Sequence, residues 1–391
     1  MLLKGLKIVD LSRVLAGPFA TMYLSDLGAE VIKVEPPDGD ETRRYAPIEK
    51  GVSAYYYSIN RGKKSISIDL KREEGREVLQ RLIEKTDIII HNYRDWTAEK
   101  LGLDYKKIID INPNIIYCVI RGYDINSRMK DYPAYDIVIQ GLSGIMMATG
   151  KEGDEPTRVG FALADIYAGL YLASTILAVL YSGVNRPVKI EVNLLDSLLY
   201  SMSYLIYSYL VAGVEPGRYG SAHPSIVPYQ AFQCRDGRWI IVAAANNRLF
   251  TKLCKALDLN ELLEDERYAS NDRRVENREE LINKLKRKFL EMDSKTWLVV
   301  LRNYGVPAAP VNKISDIVND IYMLESELLG KLTDPTLGDI KFLKPPIRID
   351  GTRIYTSMYP PRFSENSKEI LTSLGYNEEE INQLYSLGII K

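Results

Sequence analysis

Asp165 is the only charged residue in the run Gly160-Phe-Ala-Leu-Ala-Asp-Ile-Tyr-Ala-Gly-Leu-Tyr-Leu-Ala173, and no other charge follows until Arg186. A carboxylate at the mouth of so apolar a segment loses hydration. It then needs a partner, a raised pKa or a chemical task. The plain alternative is a helix N-cap, since Asp165 precedes a strongly helical run; Ala168, three residues on, supplies no capping box.

Three other segments carry types suited to binding an anion. Val9-Asp-Leu-Ser-Arg-Val-Leu-Ala-Gly-Pro18 reads as a strand, a short loop and a helix start, where free N–H groups and the helix dipole favour an anion or a thioester oxygen. Its glycine pattern is not the nicotinamide fingerprint. Asn60-Arg-Gly-Lys-Lys-Ser-Ile-Ser-Ile-Asp-Leu-Lys71 sets cations around a strand, as a phosphate-bearing ligand or simply a solvated charged loop would have them. His91-Asn-Tyr-Arg94 follows an apolar strand at its carboxyl end, where open α/β sheets bind ligands. It fits a purine base and a phosphate, or a polar strand-to-helix turn.

Composition narrows the classes. A net charge of -1 gives no reason to expect nucleic acid or an anionic membrane as partner. With only His91 and His223, a histidine-rich metal site is disfavoured, and Cys118, Cys234 and Cys254 lack metal or disulfide spacing. No metal is expected. The N-terminus lacks a signal-peptide pattern, so the cytoplasm is the expected compartment. Ile166–Val184 and Ser197–Val214 are uncharged over nearly membrane-spanning lengths, but their Tyr, Ser and Gly content fits helices buried in a core or a subunit interface. The excess of Tyr over Phe (27 against 7) leans toward a thermophilic source.

The elements that must position these groups alternate. Strands are expected over 6–10, 30–34, 65–70, 88–91, 115–120 and 188–193, and helices over 17–27, 73–85, 136–149, 165–181 and 195–212. This order predicts a mostly parallel, doubly wound α/β sheet. After a Gly-, Pro- and Ser-rich stretch, strands at 229–233 and 238–243 flank the turn Arg235-Asp-Gly237, and charged helices follow over 248–257, 278–290 and 294–304. Two short helices, 368–374 and 378–387, close the chain.

Taken in order, Arg13-Val-Leu-Ala-Gly-Pro18, Leu27-Gly-Ala-Glu-Val-Ile-Lys-Val-Glu35, Asn60-Arg-Gly-Lys-Lys-Ser-Ile66, Asn92-Tyr-Arg94, Tyr135-Asp-Ile-Val-Ile-Gln-Gly-Leu-Ser-Gly144, Ala164-Asp-Ile-Tyr-Ala-Gly169, His223-Pro-Ser-Ile-Val-Pro-Tyr229 and Gly305-Val-Pro-Ala-Ala-Pro310 resemble the class III CoA-transferases. That family includes formyl-CoA and carnitine CoA-transferases, with α-methylacyl-CoA racemase a close relative. The resemblance implies a large Rossmann-like domain (1–212 and 330–391), a linker (213–228), a smaller α+β domain (229–312) and a return linker (313–329). It also implies an interlocked homodimer.

The function implied is transfer of CoA between an acyl-CoA and a free carboxylic acid, with coenzyme A as co-substrate and no nicotinamide. Asp165 matches the nucleophile, which passes through an acyl-aspartyl anhydride and an aspartyl-CoA thioester. Leu15, Ala16 and Gly17 are candidates for oxyanion support, with Tyr135 beside the acyl group. CoA contacts fall on Ile68, Asp69, Leu70, Lys71, Asn92, Tyr93, Arg94 and Lys100, and the loop over the site on Ala244, Ala245 and Asn246. Pro36 and Pro133 replace two cations of the formyl-CoA enzyme, and Leu15 replaces a Gln, which argues against formate and oxalate. Tyr135 stands where the racemase has its catalytic His. A phenol is a poor proton shuttle near neutrality, which favours transfer over racemisation, and the apolar setting of Asp165 argues against mere CoA binding.

Overall fold

Alternation builds the first strand, β1 (Lys7–Asp10): Ile8 joins the core on one side of the sheet and Val9 the core on the other. The same division recurs in β4 (Ile88–His91), where Ile88 and Ile90 face one way and Ile89 the other. With β2 (Glu30–Glu35), β3 (Lys63–Ser67), β5 (Ile116–Arg121) and β6 (Val188–Asn193) they form one parallel sheet of order β3-β2-β1-β4-β5-β6. Both faces are apolar, so both must be covered.

One face is covered by α1 (Ala16–Asp26), α4 (Asp136–Ser143), α5 (Leu163–Ser182) and α6 (Leu194–Ser201), through Ala20, Ile139, Leu172 and Leu198. The other is covered by α2 (Glu73–Glu84) and the tail helices Ser367–Ser373 and Glu378–Ser386, through Leu79, Leu82, Leu371 and Leu384. The short α3 (Asp95–Lys100) follows β4. Strand order reverses between β1 and β4, and the loops leaving their carboxyl ends flank the crevice where such sheets bind ligands.

The computed structural model describes residues 1–391. They divide into two units: Met1–Ile145, Arg158–Leu210 and Leu324–Lys391 hold the parallel sheet, and Met146–Thr157 with Val211–Met323 form the other. In the second unit, β7 (Tyr229–Gln233), β8 (Trp239–Ala243) and β9 (Ala308–Pro310) make an antiparallel sheet. Phe232, Phe289 and Trp297 pack together in its core. Arg218 ties Met146–Thr157 into this unit, donating to the carbonyls of Thr149 at 2.8 Å and Glu155 at 2.6 Å.

Two expected helices are shorter than their apolar patterns. The helix expected over 136–149 ends at Gly144, which takes φ +86° as a left-handed C-cap. The helix expected over 195–212 is interrupted at Ser203 (φ +45°), giving α6 and α7 (Tyr204–Ala212). The apolar helices are also less buried within one chain than expected. Leu163–Ser182 is long and apolar enough to cross a membrane, yet a third of its apolar window is buried against the sheet. Tyr181 and Tyr200, with Tyr204 and Tyr207 on α7, are exposed.

Candidate active site

The loop between β1 and α1 is fixed residue by residue. Leu11 N–H donates to Ile90 O at 2.8 Å, continuing the sheet. Arg13 N–H donates to Asn92 Oδ1 at 3.0 Å, and Asn92 Nδ2 donates back to Arg13 O at 2.8 Å. Asn92 thus joins the two loops that flank the sheet's reversal point. Val14 takes φ +69°, a left-handed conformation costly for a β-branched residue. α1 begins immediately after Leu15 with no side-chain cap, so its first N–H groups lack intrahelical acceptors. Gly17 is required there, because a Cβ would lie 2.0 Å from Ser12 Oγ.

Beneath this loop lies a buried ionic cage. Lys63 Nζ bonds Asp10 Oδ2 at 3.1 Å, Pro18 O at 2.9 Å and Asn60 Oδ1 at 2.8 Å. Lys33 Nζ bonds Ser12 O at 3.0 Å and Asp40 at 2.8 Å. Thr21 donates to Asp10 at 2.6 Å, and so does Ser12 Oγ. Burial alone would raise the Asp10 carboxyl, but the two ammonium groups and the hydroxyls bring it below its usual range. Burial lowers Lys63 to about 8, against the pull of Asp10. These contacts commit three of the four cations of Asn60–Lys71 within the chain and leave Lys71 exposed. Lys63 is spent inside the cage, Arg61 on Asp26 at 2.5 Å, and Lys64 on Glu30 and Glu369.

Asp165 is not the N-cap of its helix. Ala162 occupies that position, and Asp165 is the third residue of α5. The capping role passes to Asp136, whose Oδ1 accepts Ala164 N–H at 2.8 Å. Gln140 donates to Asp136 Oδ2 at 2.7 Å and accepts Val159 N–H at 2.8 Å, fixing the segment that leads into α5. The half-buried Asp165 carboxylate has no hydrogen bond within the chain, and burial followed by the charge of Asp136 raises it to about 7. Gly169, one turn on, brings α5 against α1: a Cβ there would meet Ala16 O at 2.6 Å.

Composition and spacing did not disclose two of the neighbours. Tyr55 is pushed to about 12 by burial and then by the charge of Asp165. Tyr45 packs edge-on against Tyr55 at 5.4 Å between centroids and is raised by burial, then Glu41, then Tyr135. For Tyr55 the cluster Ala54-Tyr-Tyr-Tyr57 was the available signal.

The expected CoA contacts do not share one cavity. Asn92, Tyr93 and Arg94 line a cavity of about 330 Å³ together with Arg13, Val14 and Tyr135. Ile68–Lys71 follow β3 at the sheet's outer edge. Ile68 and Leu70 are buried there, Asp69 N–H donates to Ile389 O at 2.9 Å, and Lys71 is exposed. Lys100 stands 5.0 Å from the Trp96 ring centroid. In the second unit Ala244 is buried, its N–H bonded to Pro228 O at 3.0 Å, Ala245 is exposed, and Asn246 caps the helix Asn247–Ala256 through Leu249 N–H at 2.9 Å. His91 is buried against Tyr117 Oη at 2.6 Å, and burial lowers it to about 3, so it stays neutral in the physiological range.

The model of the CoA-transferase family III matches residues 3–367. The chain belongs to CoA-transferase family III. The chain is 40% identical over 393 residues to the human succinyl-CoA:glutarate CoA-transferase, covering 99% of this chain and 90% of that one. It is 35% identical to the succinate–glutarate CoA-transferase of Agrobacterium fabrum, covering 95% of each. A CAIB/BAIF family protein from Brucella suis superposes with a TM-score of 0.84 at 36% identity, covering 95% of this chain and 99% of that one. The chain is a transferase that moves CoA between acyl-CoA thioesters and carboxylic acids.

Proposed function

We propose that the substrates are short dicarboxylic acids and their CoA thioesters, and that the CoA passes through Asp165. The Asp165 carboxylate attacks the thioester carbonyl carbon, the C–S bond breaks, and a mixed anhydride and CoA thiolate result. The thiolate attacks the aspartyl carbonyl, releasing the donor acid and leaving an aspartyl-CoA thioester. The acceptor carboxylate attacks that thioester and regenerates an anhydride and the thiolate. The thiolate then takes the acceptor acyl group and frees Asp165. No proton is gained or lost over the cycle, so the chemistry requires no general acid or base.

The observation that carries this reading is the Asp165 carboxylate itself: lifted to about 7, without an internal hydrogen bond, one turn before the contact with the α1 start. A carboxylate poorly solvated and unpaired is a stronger nucleophile than one held by donors. The free N–H groups of Ala16 and Gly17 are suited to the developing oxyanion, and Asn92, Tyr93 and Arg94 to the CoA. Relatives named for succinyl-CoA and glutarate support the dicarboxylic assignment. Intact-mass analysis after incubation with succinyl-CoA should show an adduct that maps to Asp165. Full exchange activity in Asp165→Ala would sink the proposal.

The exposed tyrosines of α5 to α7 support a homodimer, with a second copy covering this face. Sedimentation should give twice the chain mass. A monomer at micromolar concentration would refute that part alone.

A further inference from the structure

We infer that Arg13 selects dicarboxylic substrates by holding the carboxylate remote from the reacting carbon; this rests on Asp165 being the nucleophile. The Arg13 main chain is held at both its N–H and its carbonyl by Asn92, so the root of its side chain cannot drift. The guanidinium lies in the cavity wall, 5.5 Å from the Tyr93 ring centroid. Its one ion-pair contact is Glu41 at 3.4 Å, and its Nε is buried without an acceptor. Most of the planar fork that matches a carboxylate is therefore unspent.

The other cations of the cavity suit other tasks. Arg121 is consumed by Asp95 at 2.6 Å and Glu191 at 2.5 Å. Arg94 and Lys130 are exposed, which suits the mobile phosphates of CoA. Arg13 is half-buried, and its loop runs on into the start of α1. Ala16, three residues along the same fixed loop, lies against Gly169 of α5, one turn from Asp165. A short aliphatic diacid anchored at Asp165 by one end would present its other carboxylate toward this loop. A monoacid of the same length leaves the buried Nε unsatisfied, and sites built around such a bond discriminate strongly against analogues that lack it.

The test uses Arg13→Met and Arg13→Lys in the full-length protein. KM for glutarate should rise by about 10- to 100-fold in Arg13→Met, with a smaller rise in Arg13→Lys, which keeps the charge but not the fork. Affinity for desulfo-CoA should be unchanged in both. A parallel loss of desulfo-CoA binding would assign Arg13 to the CoA and overturn the inference, as would an unchanged KM for glutarate. Mass analysis of the wild type with succinyl-CoA separates the two claims. A missing Asp165 adduct there refutes the nucleophile, whereas an adduct with unaltered glutarate KM in the variants refutes only the role of Arg13.

Discussion

The Asp136 carboxylate accepts the backbone N–H of Ala164 at 2.8 Å, one residue before Asp165. Asp136 caps the helix that carries Asp165 and thereby leaves the Asp165 carboxylate uncommitted. It also places a like charge near it, which adds to burial in raising Asp165. The two effects separate by substitution. Asp136→Asn keeps an oxygen for the Ala164 N–H but removes the charge. With Asp165 as the proposed nucleophile, the acid limb of the pH–rate profile is expected near 7 and should move downward in this variant, with most of the elevation retained because burial is its larger cause. Asp136→Ala should in addition cost about 1 kcal/mol of stability through the lost cap. An unmoved acid limb in Asp136→Asn would contradict this coupling.

Asp165 should cost the fold stability. Its pKa is about 7 in the folded protein against an ordinary value of 3.8. The folded state therefore holds this proton more tightly than the unfolded chain does. Below pH 4 both states are protonated and no penalty exists. The penalty grows between pH 4 and 7 and is complete above 7. Asp165→Asn should accordingly abolish transfer yet raise stability by roughly 2–4 kcal/mol at pH 8, with the gain vanishing near pH 4. Urea unfolding at the two pH values measures it, and equal gains at both would contradict the assignment.

Much of this arrangement was legible in the sequence because the parallel sheet is written in local periodicity. The strand Val188–Asn193 and the small-unit strand Tyr229–Gln233 fall where their apolar patterns and turn signals placed them. The breaks at Gly144 and Ser203 were not legible, since apolar residues continue on both sides and the chain turns only through positive φ. Asp165 was visible as an isolated charge, but its capping status was not. The bond that decides it comes from Asp136 on a different helix. Lys63 is the clearest case of a residue whose type misleads. Its partners at Asp10, Pro18 and Asn60 meet only once β1, β3 and α1 have assembled.

That cage predicts a large effect from a residue outside the reaction. Lys63→Met leaves Asp10 buried without its closest ammonium partner, which should cost about 3–5 kcal/mol. Adding Asp10→Asn should recover part of the loss, because the uncompensated charge is then gone. The measurement is a urea-unfolding double-mutant cycle. Additive single effects would mean that the two side chains do not act as a pair.

The contact between Gly169 and Ala16 predicts a different signature. A methyl at Gly169 would approach Ala16 O to 2.6 Å, and a backbone carbonyl cannot move aside as a flexible side chain would. In Gly169→Ala, α5 must therefore shift away from the start of α1, separating Asp165 from the N–H groups of Ala16 and Gly17. Overpacking of this kind costs about 1–3 kcal/mol, and a displacement on the order of 1 Å at a reacting pair can lower kcat by about 100-fold. The crevice formed by Asn92, Tyr93 and Arg94 is built on β4 and its loop, so KM for the acyl-CoA should change little. Steady-state kinetics with succinyl-CoA and glutarate distinguish the outcomes. A fall in kcat at near-constant acyl-CoA KM supports the proposed role of the Ala16 and Gly17 N–H groups as oxyanion donors beside Asp165, and a rise in KM at constant kcat would contradict it.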